Sequence, residues 1–324
     1  MTRVGIDVSP LVQTEAGTAR HLRGLLDRLE TRPGLELVRL GFGGRTRVAT
    51  VARDVWWYPV RLPRAASKLD VLHCPTFRGP FRSSVPVVVT IHDLAVLRHP
   101  GTFNQWTRRY SRLAVPRVAR AARLVIAVSE FTRRELVELL GVDETRIRVV
   151  PNAVGPPFEP DGPAEEGEYV LAVGTLEPRK NLAAAQQAAE RLGVELRVAG
   201  ARGWGGVHVD GWLGRVSDEQ LAALYRGAGC LVYPSLYEGF GLPVLEAMAC
   251  GTPVVTSAGG ATEEVAGGAA VLVDPHDPAS IADGIERAQA RRDELAALGL
   301  RRAAEFTWER VAAETRRVYE EAAG

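Results

Sequence analysis

Three cysteines, Cys74, Cys230 and Cys250, are few for a chain of 324 residues. Odd in number and widely spaced in apolar runs, they exclude a disulfide-built scaffold and read as buried free thiols in a reducing compartment. No apolar run approaches the roughly 20 residues of a membrane span. The net charge of +1 leaves no whole-protein field that points to nucleic acid. Neither a Gly-x-Ser-x-Gly elbow nor a Walker phosphate loop occurs, so the common hydrolase and kinase readings are without their parts. His21, His73, His92, His99, His208 and His276 form no metal-ligand spacing, and no Asp-x-Asp pair is present to clamp a metal diphosphate. Residues 4–8 form a short strand-like run with no basic leader or cleavage site, so a cytoplasmic chain is expected.

What is present is an alternation. At 324 residues, two domains are the prior, and 46% hydrophobic with 24% charged residues is ordinary for a globular protein. Short apolar runs at 4–8, 35–41, 71–75, 85–94 and 122–128 read as strands separated by helical segments. Leu22, Leu25, Leu26 and Leu29 share one face of the first long helix, and Ser129 is an N-cap candidate for another. A proline-rich stretch, 151–168, is the expected linker. After it the alternation restarts, with runs at 169–174, 195–200, 207–211, 230–233, 252–257 and 270–275. Strand–helix alternation predicts an α/β protein with two parallel, doubly wound sheets. The carboxyl ends of the strands are where such sheets bind ligands.

The densest chemistry lies in 233–255, YPSLYEGFGLPVLEAMACGTPVV. Glu238 and Glu246 are separated by seven residues. Gly239 and Gly241 allow close backbone approach to a ligand, Pro243 suits a helix start, and Gly251 suits its end. A glycine-bearing loop before a helix N-terminus is an anion site. Carboxylates flanking an anion are better placed to accept hydroxyl hydrogen bonds beside it, and a phosphate next to polyhydroxylated rings describes a nucleotide-sugar.

A second candidate anion site is GTLEPRKN, where Arg179 and Lys180 stand between a strand and a helix start. Two cations there oppose the helix dipole by about 0.3–1 kcal/mol each, and a bound anion reverses that sign. The bland alternative is two solvated charges beside Glu177. His92 ends a strand, where it is either structural or directed at a ligand. Residues 94–129 contain no acid but seven arginines, with Trp106, Tyr110 and Leu113 interleaved. That helix either rests on anionic lipid at the inner face of the membrane or is solvated with its Trp and Tyr turned to the core. RNA is the weaker partner, because no recognised module accompanies the arginines.

Taken together, GIDVSPL…AGTARHL, TIHDLAVLRHP, ARLVIAVSEFTRREL, YVLAVGTLEPRKN, 216–255 and the final FTWERVAAETRRVYE resemble a retaining glycosyltransferase of family four. The likeness covers nearly the whole chain and is closest in look to bacterial mannosyltransferases. It implies the GT-B fold, two Rossmann-like domains facing a cleft. Residues 1–152 would form the acceptor domain, joined by a helix at about 308–324, and 153–307 the donor domain. By this likeness Glu238 and the backbone at Gly239, Phe240, Gly241 and Leu242 hold the donor sugar, and Glu246 holds the ribose. Arg179 and Lys180 hold the diphosphate, and His92 reaches the transferred sugar. Gly17 lines the phosphate approach, and Arg215 and Val216 flank the base. Many relatives carry a Gly-Gly pair where this chain has Ala16-Gly17. The implied donor is a nucleotide diphosphate sugar, GDP-mannose ahead of UDP-hexose, with a saccharide or lipid-linked acceptor and neither metal nor cofactor. Sugar-nucleotide epimerase, phosphorylase and non-catalytic nucleotide-sugar binder are the alternatives.

Overall fold

The apolar runs become strands. A computed structural model describes residues 1–13, 17–103 and 105–324. The first sheet comprises β1 (Thr2–Asp7), β2 (Leu35–Leu40), β3 (Val71–Cys74), β4 (Val87–Ile91), β5 (Leu124–Ala127) and β6 (Ile147–Val149). The second comprises β7 (Tyr169–Val173), β8 (Glu195–Ala199), β9 (Trp212–Gly214), β10 (Leu231–Tyr233), β11 (Val254–Ser257) and β12 (Val271–Val273). Both sheets are parallel throughout, in the orders β2-β1-β3-β4-β5-β6 and β12-β11-β10-β7-β8-β9. Strands β3, β4, β5, β7, β10 and β11 are buried at every residue, as parallel strands covered on both faces must be.

The chain divides into two compact units, Met1–Asn152 with Trp308–Gly324, and Ala153–Thr307. In the first, the helix Gly17–Leu29 buries Leu22, Leu25, Leu26 and Leu29, each worth roughly 1.5–3 kcal/mol of apolar burial. The C-terminal helix Trp308–Ala323 packs on it at Gly24, where an added Cβ would lie 2.5 Å from the Trp308 ring. Only hydrogen at this position lets the two helices approach so closely. Arg28 also pairs with Glu309 at 2.8 Å, and Arg148 pairs with Glu321.

One reading needs correction. Residues 207–211 alternate like a strand, yet the sixth strand of the second sheet is Trp212–Gly214, an edge strand that leaves Trp212 and Leu213 exposed. The short helix Ser9–Gln13 lies between β1 and the helix that Gly17 opens. Ala16, the other half of the pair noted above, lies outside the described residues. Sequence reasoning also passed over the helical stretch formed by Arg47–Ala52 and the π-helix Arg53–Arg61. Its β-branched valines and internal Pro59 oppose helix, and its first segment buries no residue, so no apolar stripe marks it.

Candidate functional site

The second sheet reverses its strand order between β7 and β10, which is the topological switch point of a Rossmann-like sheet. The loops leaving these two strands carry the strongest candidates. After β7 comes a single 3-10 turn, Pro178–Lys180, then Asn181 in the left-handed conformation (φ 55°) and the helix Leu182–Leu192. After β10 comes 234–241, then the helix Leu242–Ala249, with Gly241 at its N-cap (φ 103°). An added Cβ at Gly241 would sit 2.9 Å from Thr262 Cγ2, so glycine is required there on both counts.

The two loops are clipped together. Leu236 N–H donates to the Arg179 carbonyl at 2.9 Å, and an Arg179 Nη1 donates to the Tyr237 carbonyl at 2.5 Å. Asn181 Nδ2 donates to the carbonyls of Pro234 (3.2 Å) and Pro275 (2.6 Å), tying in the loop after β12. The cations are therefore fixed by backbone contacts rather than waving in solvent.

Four donors converge on one atom, Oε1 of Glu238. They are Lys180 Nζ at 2.6 Å, Ser235 Oγ at 2.6 Å, Tyr233 OH at 2.9 Å and Arg179 Nη1 at 3.2 Å. Among the described residues no contact falls on Oε2. Burial pushes the Glu238 carboxyl up, but the Lys180 and Arg179 charges, with hydrogen bonds from Lys180 and Ser235, outweigh it and hold the group at about 2. Lys180 Nζ also donates to Tyr233 OH at 2.8 Å, and Arg179 pairs with Glu177 at 2.6 Å. The bland alternative is set aside: Arg179 and Lys180 are not solvated charges, since both side chains are mostly buried. Both are paired with Glu238.

Glu246 lies in the second turn of the helix Leu242–Ala249, is buried, and accepts from Tyr225 OH at 3.1 Å. Burial, with Glu246 beside it, drives the Tyr225 hydroxyl well above its usual range, so it remains a donor. Gly239 and Phe240 are buried in the loop, and Leu242 opens the helix. Arg215 and Val216 follow β9, with Arg215 exposed and Val216 half-buried. Tyr233, Ser235 and Tyr225 were missed by sequence reasoning. The one signal that could have found Tyr233 is a hydroxyl on the last residue of an apolar strand at the switch point.

In the first unit, His92 follows β4 and is not the lone histidine that the sequence suggests. The His21 ring meets it edge-on, with centroids 5.1 Å apart at 80°. His92 Nε2 lies 3.1 Å from the Pro75 carbonyl, which can only accept, so Nε2 carries the proton and the neutral ring keeps Nδ1 as an acceptor. His73 is bonded to Tyr319 OH (2.7 Å) and Thr90 Oγ1 (2.9 Å). Burial lowers all three histidines, His73 to about 3, and charge on His92 opposes charge on the other two. His92 lines a cavity of about 320 Å³ with Gln13, Thr18, Thr76, Arg78 and Asp93. Gly17, at the start of its helix, is half-buried.

Comparison with known proteins places these features. Residues 158–301 match the family model for glycosyl transferases group 1, and residues 3–156 match that for glycosyltransferase family 4. The chain is 34% identical over 282 residues to O-antigen chain mannosyltransferase B of Escherichia coli, covering 77% of this chain and 74% of that one. The chain belongs to glycosyltransferase family four. This glycosyltransferase is also 33% identical over 268 residues to a D-inositol 3-phosphate glycosyltransferase of Geodermatophilus obscurus, covering 71% of this chain and 60% of that one. Its fold matches sucrose-phosphate synthase from Thermosynechococcus elongatus with a TM-score of 0.77, 19% identity and 99% of both chains covered. The glycosyltransferase thus has the GT-B fold of two Rossmann-like domains, and its likeness to bacterial mannosyltransferases holds.

Proposed function

We propose that this glycosyltransferase moves a hexosyl unit, mannose before other hexoses, from a nucleotide diphosphate sugar to a saccharide or lipid-linked acceptor hydroxyl, with retention. The observation that carries the reading is the constellation at the β7/β10 switch point: two fixed cations, Arg179 and Lys180, around the ionised Glu238. A diphosphate leaving group gains negative charge as the sugar departs, and preorganised cations stabilise that charge where it develops. In this reading Arg179 and Lys180 hold the diphosphate, so no metal is needed. Glu238 accepts from the sugar, Glu246 accepts from the ribose, and the backbone at Gly239, Phe240, Gly241 and Leu242 lies along the donor. Arg215 and Val216 flank the base, Gly17 lines the phosphate approach, and His92 reaches the transferred sugar. No enzymic nucleophile is assigned. Attack is on the front face, the departing phosphate helps take the acceptor proton, and the residues mainly position and stabilise. GDP-mannose is the proposed donor, because the likeness to the Escherichia coli mannosyltransferase favours mannose.

The test is a thermal-shift panel of GDP- and UDP-sugars, followed by product analysis. A donor present at 100 times its dissociation constant stabilises by about 2.7 kcal/mol, enough to read as a clear shift. The expected result is the largest shift with GDP-mannose, and then an α-linked product from the α-linked donor. A panel in which no nucleotide-sugar raises Tm, or a product of inverted configuration, overturns the reading.

A further inference from the structure

The loop that leaves β8, residues 200–206, reads GARGWGG. Four of its seven residues are glycine, and three of these have no room for a side chain. An added Cβ would lie 1.9 Å from the Gly174 carbonyl oxygen at Gly200, 2.2 Å from the Leu176 carbonyl oxygen at Gly203 and 2.7 Å from Pro178 at Gly205. Leu176 N–H donates to the Ala201 carbonyl at 3.0 Å. The loop is therefore laid backbone to backbone along residues 174–178, the stretch that runs directly into Arg179 and Lys180.

Arg202 and Trp204 are the only large side chains on this loop, and both are exposed, Trp204 by 45%. Among the described residues the Arg202 guanidinium makes no hydrogen bond or ion pair. It lies 6.0 Å from the centroid of the Trp212 ring, within cation–π range. Trp212 is itself fixed, its indole N–H donating to the Gly200 carbonyl at 2.9 Å. A cation–π contact restricts the guanidinium without consuming any of its N–H donors. The loop thus presents one aromatic face and one open donor fork beside the two cations.

Position decides what these groups meet. In the reading above, the donor diphosphate sits at the β7/β10 switch point. Strands β8 and β9 follow β7 on one side, so β9 lies two strand spacings, about 10 Å, from β7. A ribose sets a base off from its diphosphate in this way, toward the ends of β8 and β9. Arg215 and Val216 leave β9 at the same edge.

Resting on that nucleotide-sugar reading, we infer that Trp204 stacks on the base of the donor and that Arg202 selects guanine. Stacking tolerates any base, because every base has a π-face, and a purine covers more of the indole than a pyrimidine does. Selection needs an edge contact. Arginine offers paired N–H donors, and guanine presents two acceptors, O6 and N7, where adenine presents an amino group in place of O6.

The test titrates the full chain with GDP, ADP and UDP in a calorimeter, so that neither sugar nor acceptor enters. Wild type should bind GDP about tenfold or more tightly than ADP or UDP. R202M should weaken GDP about tenfold and leave ADP and UDP within about twofold. W204A should weaken GDP and ADP about tenfold each, and W204F should recover most of that loss. In transfer assays with GDP-mannose, R202M and W204A should raise KM with kcat unchanged, because contacts to a base remote from the reacting carbon are equal in ground and transition states. Equal weakening of all three nucleotides by R202M would assign Arg202 to the phosphates and overturn the inference. Wild-type GDP affinity in W204A, or a wild type that binds UDP as tightly as GDP, overturns it too. Transfer from GDP-mannose with wild-type KM in both variants overturns the base assignment and leaves the donor reading intact. The expected nucleotide affinities without transfer from any GDP-sugar do the reverse.

Discussion

Lys180 Nζ and Glu238 Oε1 are 2.6 Å apart, and three further donors reach the same carboxylate oxygen. A carboxylate has room for about four hydrogen bonds over two oxygens. Here Oε1 takes four donors and, among the described residues, no hydrogen bond or ion pair falls on Oε2, so Glu238 is oriented before any ligand arrives. If Oε2 is the oxygen that reads a sugar hydroxyl, then the residues that hold Oε1 set its aim.

Tyr233→Phe removes one of those donors without changing the ring that packs in the core. The expected result is a roughly tenfold loss in kcat/KM for the donor, as one hydrogen bond to a charged group is worth about 1.5–3 kcal/mol. The fold should survive, with a drop in Tm of a few degrees. Steady-state kinetics beside a melting curve check this. Wild-type kinetics would mean that Tyr233 does not aim the carboxylate.

Glu238→Gln keeps the shape and removes the charge. Lys180 and Arg179 would then face each other without their shared counter-ion, and kcat should fall about 100-fold or more, as for loss of a preorganised electrostatic group. Arg179→Ala should instead raise the donor KM as well as lower kcat, because it also loosens the clip to Tyr237. Kinetics with one donor across both variants separate the two roles.

The depressed Glu238 carboxyl has a consequence for acid stability. Its folded value, about 2, lies below the ordinary 4.5, so the stabilisation it provides is complete above about 4.5 and disappears as pH falls toward 2. The histidines act at a higher pH. His21, His73 and His92 are held neutral by burial in the folded chain, while in the unfolded chain each binds a proton near 6.5. Stability should therefore decline as pH falls from about 6.5 toward 3. Melting temperatures across pH 7 to 5 should show the decline, and His73→Gln should reduce its slope.

Gly24→Ala tests the helix contact in the first unit. The added methyl would lie 2.5 Å from the Trp308 ring, which overpacking data put at about 1–3 kcal/mol or more. Denaturant melts should give the loss directly, and limited proteolysis should cut first near residue 308.

What could be read from the sequence follows from how each element is stabilised. Buried parallel strands such as Val87–Ile91 are apolar at every position, so their runs stand out. The edge strand Trp212–Gly214 has no such burial, and the alternating 207–211 beside it imitated a strand better than the strand itself did. Ser129 announced its helix because its hydroxyl accepts from the Thr132 amide, a local contact that composition alone suggests. The histidine cluster could not be seen, since His21, His73 and His92 come together only in the folded unit, where the helix Trp308–Ala323 packs on β3, β4 and the helix Gly17–Leu29. Tyr233 was hidden for the same reason: as a sequence character it is one more apolar residue at a strand end, and its hydroxyl matters only beside Glu238 and Lys180.

The first unit is built from both ends of the chain, and the second from an unbroken middle. This sets an order during synthesis. The segment Ala153–Thr307 has all its parts as soon as it leaves the ribosome. The first unit waits from residue 152 for a helix that is translated after the whole of the second unit, with Gly24 and the His73 ring uncovered until Trp308 and Tyr319 emerge. A nascent chain halted before codon 308 would hold a finished sheet without its cover, the stage at which a chaperone has most to shield.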